Sequence, residues 1–255
     1  MFYLILILVF LLGLTIGSFL NCLIWRLHTG EGVRGRSYCP KCKKKIAWYD
    51  NIPVLSFLIL GGKCRSCGKS ISWQYPAVEL VAGILFGLAF YYNLTPEGIS
   101  YLGLLKEWFL VSVLIVVFVY DLRFYLILDK VMFPAIVALL VINILLGFGW
   151  LDLLISAIIG LGFFLIQFLV SRGSWIGGGD IRLGLFMGIA LASWKLLVLA
   201  IFVSYLLGSV IGLALVATGN KKWGSKIPLG VFLALGTIFA LFWGGPIVNW
   251  YFSLF

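Results

Sequence analysis

From Phe2 to Trp25 the chain carries no charged residue, a run of 24 positions dominated by Leu, Ile, Val, Phe and Gly. About 20 such residues suffice for a helix to cross a hydrocarbon core roughly 30 Å thick. No basic segment precedes the run and no A-x-A pattern follows it, so it reads as a retained first helix rather than a removed signal peptide. Similar runs recur to the C-terminus, and spans are predicted near 3–25, 76–92, 108–126, 131–149, 151–171, 183–194, 196–217 and 229–252. The expected fold class is an all-α polytopic membrane protein with about eight transmembrane helices. Composition agrees: 63% of the residues are hydrophobic and 11% charged, whereas a soluble domain carries about 25% charged residues.

Three regions follow: residues 1–25 as the first helix, 26–75 as a polar insert rich in Cys and Lys, and 76–255 as the remaining bundle. If the insert is cytosolic, 17 of the 19 Lys and Arg fall on the cytosolic side. Lys106 and Lys195 alone lie outside. Positive charge accumulates on cytosolic loops, so both termini are expected outside. The same asymmetry accounts for the net charge of +10 as a topology signal rather than a nucleic-acid footprint. Reading 183–217 as one kinked span would move Lys221, Lys222 and Lys226 outside and weaken the asymmetry. Two short spans joined at Trp194-Lys195 are therefore expected.

Among the apolar runs a single stretch stands out, Gly177-Gly178-Gly179-Asp180. Glycines allow a sharp turn and close backbone approach. The aspartate they deliver sits beside apolar runs, and an ionisable residue at membrane depth is a functional hypothesis that needs a partner. Asp121, which closes the apolar run Trp108 to Tyr120, is the candidate. Two carboxylates forced together at low dielectric do not both ionise readily, so one keeps a proton while the other stays charged. Such a pair can act as general acid and general base and activate water against a peptide carbonyl.

The insert contains Cys39-Pro40-Lys41-Cys42 and Cys64-Arg65-Ser66-Cys67, two C-x2-C pairs separated by 21 residues. That pattern fits a zinc ribbon, with Cys39, Cys42, Cys64 and Cys67 as ligands. A reducing cytosol disfavours disulfides, and redox or plain structural thiols are the alternatives. Four thiolates leave no open position, so the zinc would be structural. Lys43, Lys44 and Lys45 are either solvated or face anionic headgroups. Cys22 reads as a packing thiol, and His28, the sole histidine, as an interfacial residue. Without a second histidine or a GxSxG, a serine-hydrolase mechanism has little support. Trp48, Tyr49, Trp73 and Tyr75 read as interfacial aromatics. Glu79, one turn into the second span, is either a buried structural contact or part of a site.

Taken in order, the motifs resemble the type IV prepilin leader peptidase and N-methyltransferase family, membrane aspartyl peptidases of the GxGD kind. The resemblance covers nearly the whole chain. It rests on Gly17-Ser18-Phe19-Leu20-Asn21 and Ile24-Trp25-Arg26-Leu27, and on Ser37 to Cys42 with Trp48 to Ser56. Cys64 and Cys67 complete the cysteine-bearing loop. Tyr75-Pro76-Ala77-Val78-Glu79 starts the second helix. Asp121-Leu122 with Ile127 and Asp129 resembles the first catalytic segment, with Leu128 where the family usually has proline. Gly177 to Asp180 resembles the second, and Ile227-Pro228-Leu229-Gly230 the start of the last helix.

The resemblance implies cleavage of a short basic leader, typically after glycine, from type IV prepilin or pseudopilin precursors at the cytosolic face of the bacterial inner membrane. It implies N-methylation of the new terminus with S-adenosylmethionine as donor, in the service of pilus assembly or protein secretion. Asp121 and Asp180 are then the catalytic dyad, with Gly177 and Gly179 shaping the site. No glycine-rich dinucleotide-type loop for the donor is present, so methylation follows from resemblance alone and is associated with the insert.

A basic leader meeting so many Lys and Arg needs acidic groups or membrane lipids between. Glu31, Asp50, Glu79 and Asp129 are the candidates, with Glu79 and Asp129 as possible substrate-binding residues. The alternatives are a peptidase without methylation, a presenilin-like intramembrane peptidase, a transporter with carboxylates between spans, or a structural protein in which Asp121 and Asp180 pair with Arg123 and Arg182.

Overall fold

The computed structural model describes residues 2–32, 35–95, 98–222 and 224–254. Nine α-helices occur among them: α1 (Phe2–Thr29), α2 (Leu55–Ile59), α3 (Gln74–Tyr92), α4 (Tyr101–Phe124), α5 (Asp129–Leu145), α6 (Trp150–Ser171), α7 (Gly178–Leu191), α8 (Trp194–Ala217) and α9 (Leu229–Phe252). The eight predicted spans correspond one to one to α1 and α3–α9. Six of these, α1, α3, α4, α6, α8 and α9, are long and apolar enough to cross a membrane. The chain is therefore a multi-pass membrane protein. The remaining two are shorter, α5 with 17 residues and α7 with 14.

Several boundaries differ from expectation. Helix α4 begins at Tyr101 rather than near 108, so Lys106 and Glu107 lie within it. A two-residue antiparallel ladder, β1 (Leu94–Thr95) with β2 (Gly98–Ile99), precedes it. The turn expected at Trp194-Lys195 falls instead at Ala192-Ser193. Ala192 adopts a left-handed cap with φ 50° and Ser193 is extended, so Trp194 already opens α8.

The chain divides into two compact units, residues 1–116 and 117–255. In the first unit α1 packs on α3 through Gly13 and Gly17, four residues apart and thus on one helix face. A Cβ on Gly13 would stand 2.7 Å from Gly83 Cα, and one on Gly17 the same distance from Glu79 Cα. Small residues that let backbones approach this closely are the usual basis of helix association in lipid. Above that contact a chain of hydrogen bonds ties the insert to the helices. Gln74 Nε2 donates to Asn21 Oδ1 at 3.0 Å, and Asn21 Nδ2 donates to the Tyr75 carbonyl at 3.1 Å. Arg26 Nη2 donates to the Gly35 carbonyl at 2.8 Å. Val54, a β-branched residue held at φ 61°, donates its N–H to Glu79 Oε2 at 2.8 Å. Such a backbone conformation persists only where its surroundings over-determine it, and Glu79 supplies that restraint.

In the second unit α7 is the central element, touching α5, α6, α8 and α9. Glycines again set the approach: a Cβ on Gly184 would collide with Gly160 and Phe164, and one on Gly188 with the Ser156 carbonyl. Asn143, fully buried, donates Nδ2 to the Ile189 carbonyl at 2.6 Å.

Candidate active site

Asp180 lies in the first turn of α7, not in a loop ahead of it, because Gly177 is the N-cap and the helix starts at Gly178. The Gly177 N–H donates to Asp180 Oδ2 at 2.9 Å. This is half of a capping box, in which an acidic side chain at the third helical position reaches back to the cap. The carboxylate is thereby fixed at the positive end of a helix dipole.

Asp121 comes from the last turns of α4 and is held by a different helix start. Val231 N–H donates to Asp121 Oδ2 at 3.2 Å, and the Gly230 N–H also reaches this carboxylate. Both donors belong to the first turn of α9, which Pro228 caps. The first turn of a helix leaves its N–H groups without internal partners, so α9 offers Asp121 two donors that no side chain has to supply. A Cβ on Gly230 would sit 2.8 Å from Asp121 Oδ2. Only glycine leaves the carboxylate where it is.

Both acids are buried, Asp121 at 5% and Asp180 at 8% exposure, and the charge of Asp121 acts on Asp180 directly. Ile127 lies beside both helix starts. Its Cβ is 2.9 Å from the position a Gly179 Cβ would take, and its Cδ1 is 3.2 Å from that of Gly230. Gly179 and Gly230 therefore act as clearances around Ile127 and Asp121, whereas a Cβ on Gly177 would make only ordinary contacts, 3.7 Å from Asp180 Oδ2. Gly230 was not apparent as a site residue from sequence. Its signal, the segment Ile227-Pro228-Leu229-Gly230, marks a helix start without saying which carboxylate that helix receives.

Arg182 pairs with Asp129, not with Asp180, and stacks its guanidinium 5.8 Å over the Phe133 ring. In place of the reading that joined Asp180 to Arg182, Arg182 is engaged with Asp129, and Asp180 accepts from the Gly177 N–H and feels the charge of Asp121. Leu128, at φ −82° and ψ 122°, caps α5. That φ is close to the one a proline ring enforces, so leucine here keeps the backbone that proline would hold.

In the insert the four cysteines converge. The Sγ atoms of Cys39, Cys42, Cys64 and Cys67 lie within 4.8 Å of one another, and Cys39 Sγ is 4.0 Å from Cys67 Sγ. Tetrahedral zinc with bonds of about 2.3 Å puts sulfurs roughly 3.8 Å apart, so the donor set fits that ion. Two copies of one turn build it. Cys39 N–H donates to Lys44 and Lys43 N–H to Cys39, while Cys64 N–H donates to Lys69 and Gly68 N–H to Cys64. The bridges Tyr38–Lys45 and Lys63–Ser70 close the two turns alike, and the residue after each second cysteine is left-handed, Lys43 at φ 60° and Gly68 at φ 65°. The Cys67 N–H, with that of Ser66, pulls the Cys64 thiol down to about 7, whereas Cys67, despite the Lys69 N–H, is pushed up to about 11 by burial and its neighbouring thiols.

The other acidic candidates are engaged within the chain. Glu31 accepts from the Tyr38 hydroxyl at 2.7 Å. Asp50 accepts from Arg65 Nη2 at 2.7 Å, and that guanidinium holds its carboxyl below the usual range. Glu79 accepts from Val54 and Asp129 from Arg182.

Comparison with known proteins finds matches in both halves of the chain. The model for the Bacterial Peptidase A24 N-terminal domain matches residues 11–93, and that for the Type IV leader peptidase family matches residues 108–213. A prepilin leader peptidase/N-methyltransferase of Bacillus subtilis (strain 168) is 36% identical over 96% of this chain and 97% of its own length. The protein of the same description from Aeromonas hydrophila is 34% identical, covering 97% of this chain and 94% of the relative. That from Pseudomonas aeruginosa is 31% identical, covering 94% and 91%. No solved structure matches. With the likeness running from the first helix through the cysteine insert to the last, this chain belongs to the prepilin leader peptidase/N-methyltransferase family.

Proposed function

We propose that Asp121 and Asp180 are the catalytic dyad of a peptidase that removes the basic leader from type IV prepilin-like precursors. The observation that carries this reading is the meeting of two buried carboxylates, each fixed by backbone N–H groups at a helix start. One carboxylate takes a proton from water, whose oxygen attacks the scissile carbonyl carbon. The other, protonated, donates to the carbonyl oxygen. The C–N bond then breaks as a proton passes to the leaving nitrogen. Backbone donors at the starts of α7 and α9 hold both acids in place.

The same reading places the cysteine insert and the dyad toward the cytosol of a bacterial inner membrane, by the asymmetry of Lys and Arg. Zinc on Cys39, Cys42, Cys64 and Cys67 would be structural, since four thiolates fill its coordination. S-adenosylmethionine would supply the methyl group placed on the new amino terminus, and we associate that activity with the insert and α1–α3. The polar groups there, the buried Asn21 and Glu79 and the half-buried Gln74, are engaged with one another and with backbone. They form no open cradle for such a donor. Glu79 and Asp129, each already accepting from within the chain, and anionic lipid headgroups would supply the negative charge that receives the basic leader.

Mass spectrometry of a pilin-like precursor incubated with the purified enzyme and S-adenosylmethionine tests this. Two products are expected, a shortened chain and its methylated form. Neither product from any precursor with a basic leader and apolar segment would return the transporter reading. A second check addresses geometry: Gly230→Ala pushes a methyl against Asp121 Oδ2. A misplacement of about 1 Å can lower turnover about 100-fold, so this variant should lose cleavage to that order while retaining its fold by circular dichroism.

A further inference from the structure

We propose that Ile127 is the size filter of the cleavage site, limiting the side chain of the residue whose carbonyl is attacked. The inference rests on the assignment of Asp121 and Asp180 as the dyad. The link Tyr125–Leu128 between α4 and α5 is secured on both sides. Tyr125 donates its N–H to the Asp121 carbonyl at 2.9 Å, and its hydroxyl accepts from Lys221 Nζ at 3.4 Å. At the other end Asp129 pairs with Arg182. Between these anchors the Ile127 side chain fills the space that separates the first turn of α7 from the first turn of α9, against Gly179 on one wall and Gly230 on the other. The Gly230 wall is also the wall of Asp121 Oδ2.

A scissile carbonyl has to come within hydrogen-bond reach of both acids, roughly 3 Å. With the acids only 5% and 8% exposed, the residue that carries this carbonyl shares its volume with Ile127. Isoleucine is branched at Cβ and holds few rotamers, so it yields little room by rotation. Its neighbours cannot yield either, because the opposing walls are backbone. A substrate residue without a side chain fits such a space, and each added carbon competes with Ile127 for it.

The test compares the full-length enzyme with Ile127→Ala and Ile127→Val, using three precursors identical except for glycine, alanine or valine before the cleaved bond. One methylene in an apolar site is worth roughly 10- to 200-fold in discrimination. Ile127→Ala is therefore expected to raise kcat/KM for the alanine precursor relative to the glycine precursor by about tenfold or more. Ile127→Val should shift the ratio the same way by less, and it serves if the alanine variant does not fold. An unchanged ratio, whatever happens to the absolute rates, means Ile127 only packs the link and overturns the filter. Asp121→Asn is run alongside: if it still cleaves, the dyad falls and the filter with it. An Asp121-dependent parent with an unchanged ratio removes the filter alone.

Discussion

Asp121→Asn and Asp180→Asn should each reduce leader cleavage by about 100- to 10,000-fold, the range that a positioned acid or base contributes. Asparagine keeps the shape and can still face the helix-start N–H groups, so the fold should survive and the loss should lie in kcat. Asp129→Asn provides the contrast. Its partner Arg182 and Asp129 itself are both well exposed, at 39% and 49% of their side chains, and an exposed ion pair contributes only about 0–1 kcal/mol. Cleavage in Asp129→Asn should therefore stay within about tenfold of the parent. Steady-state assays on one precursor decide the matter. Equal and complete loss in all three variants would mean that Asp129 had been wrongly left out of the dyad.

Removing the metal should have the second large effect, confined to the insert. Residues 38–45 and 63–70 are two turns whose own hydrogen bonds are few, and sulfurs within 4.8 Å of one another join them. Structural zinc contributes about 10–16 kcal/mol in peptides of this kind, more than so small an element can replace by packing. Chelation, or Cys39→Ser with Cys64→Ser, should expose residues 36–73 to limited proteolysis and release one zinc per chain. Methylation should be lost, while cleavage, if Asp121 and Asp180 carry it as proposed, should persist at a measurable rate. Parallel loss of both activities would show that the insert also serves the peptidase.

Much of this was legible in the sequence because lipid is an exacting solvent. A span has to be apolar for most of its length, so α1 and α3–α9 could be counted from composition. Asp180 was conspicuous because three glycines and a carboxylate interrupt such a run, and Asp121 because it ends another. What could not be read was how each acid is held. The donors are backbone N–H groups of Gly177, Gly230 and Val231, and every residue but proline has an N–H. Nor did sequence distinguish Asp129 from Asp180 as the partner of Arg182. That choice depends on where the α4–α5 link runs. The start of α7 was placed five residues late, since glycines predict a turn while their absent side chains leave a helix free to begin.

The shortness of α7 carries a last consequence. Fourteen residues at 1.5 Å each give about 21 Å, roughly 9 Å less than the hydrocarbon layer. The helix is sheathed by α5, α6, α8 and α9, so the shortfall is not made good by lipid tails. At 14 residues it cannot reach both faces of the layer that its 24-residue neighbours α8 and α9 span, so at least one of its ends lies within that thickness.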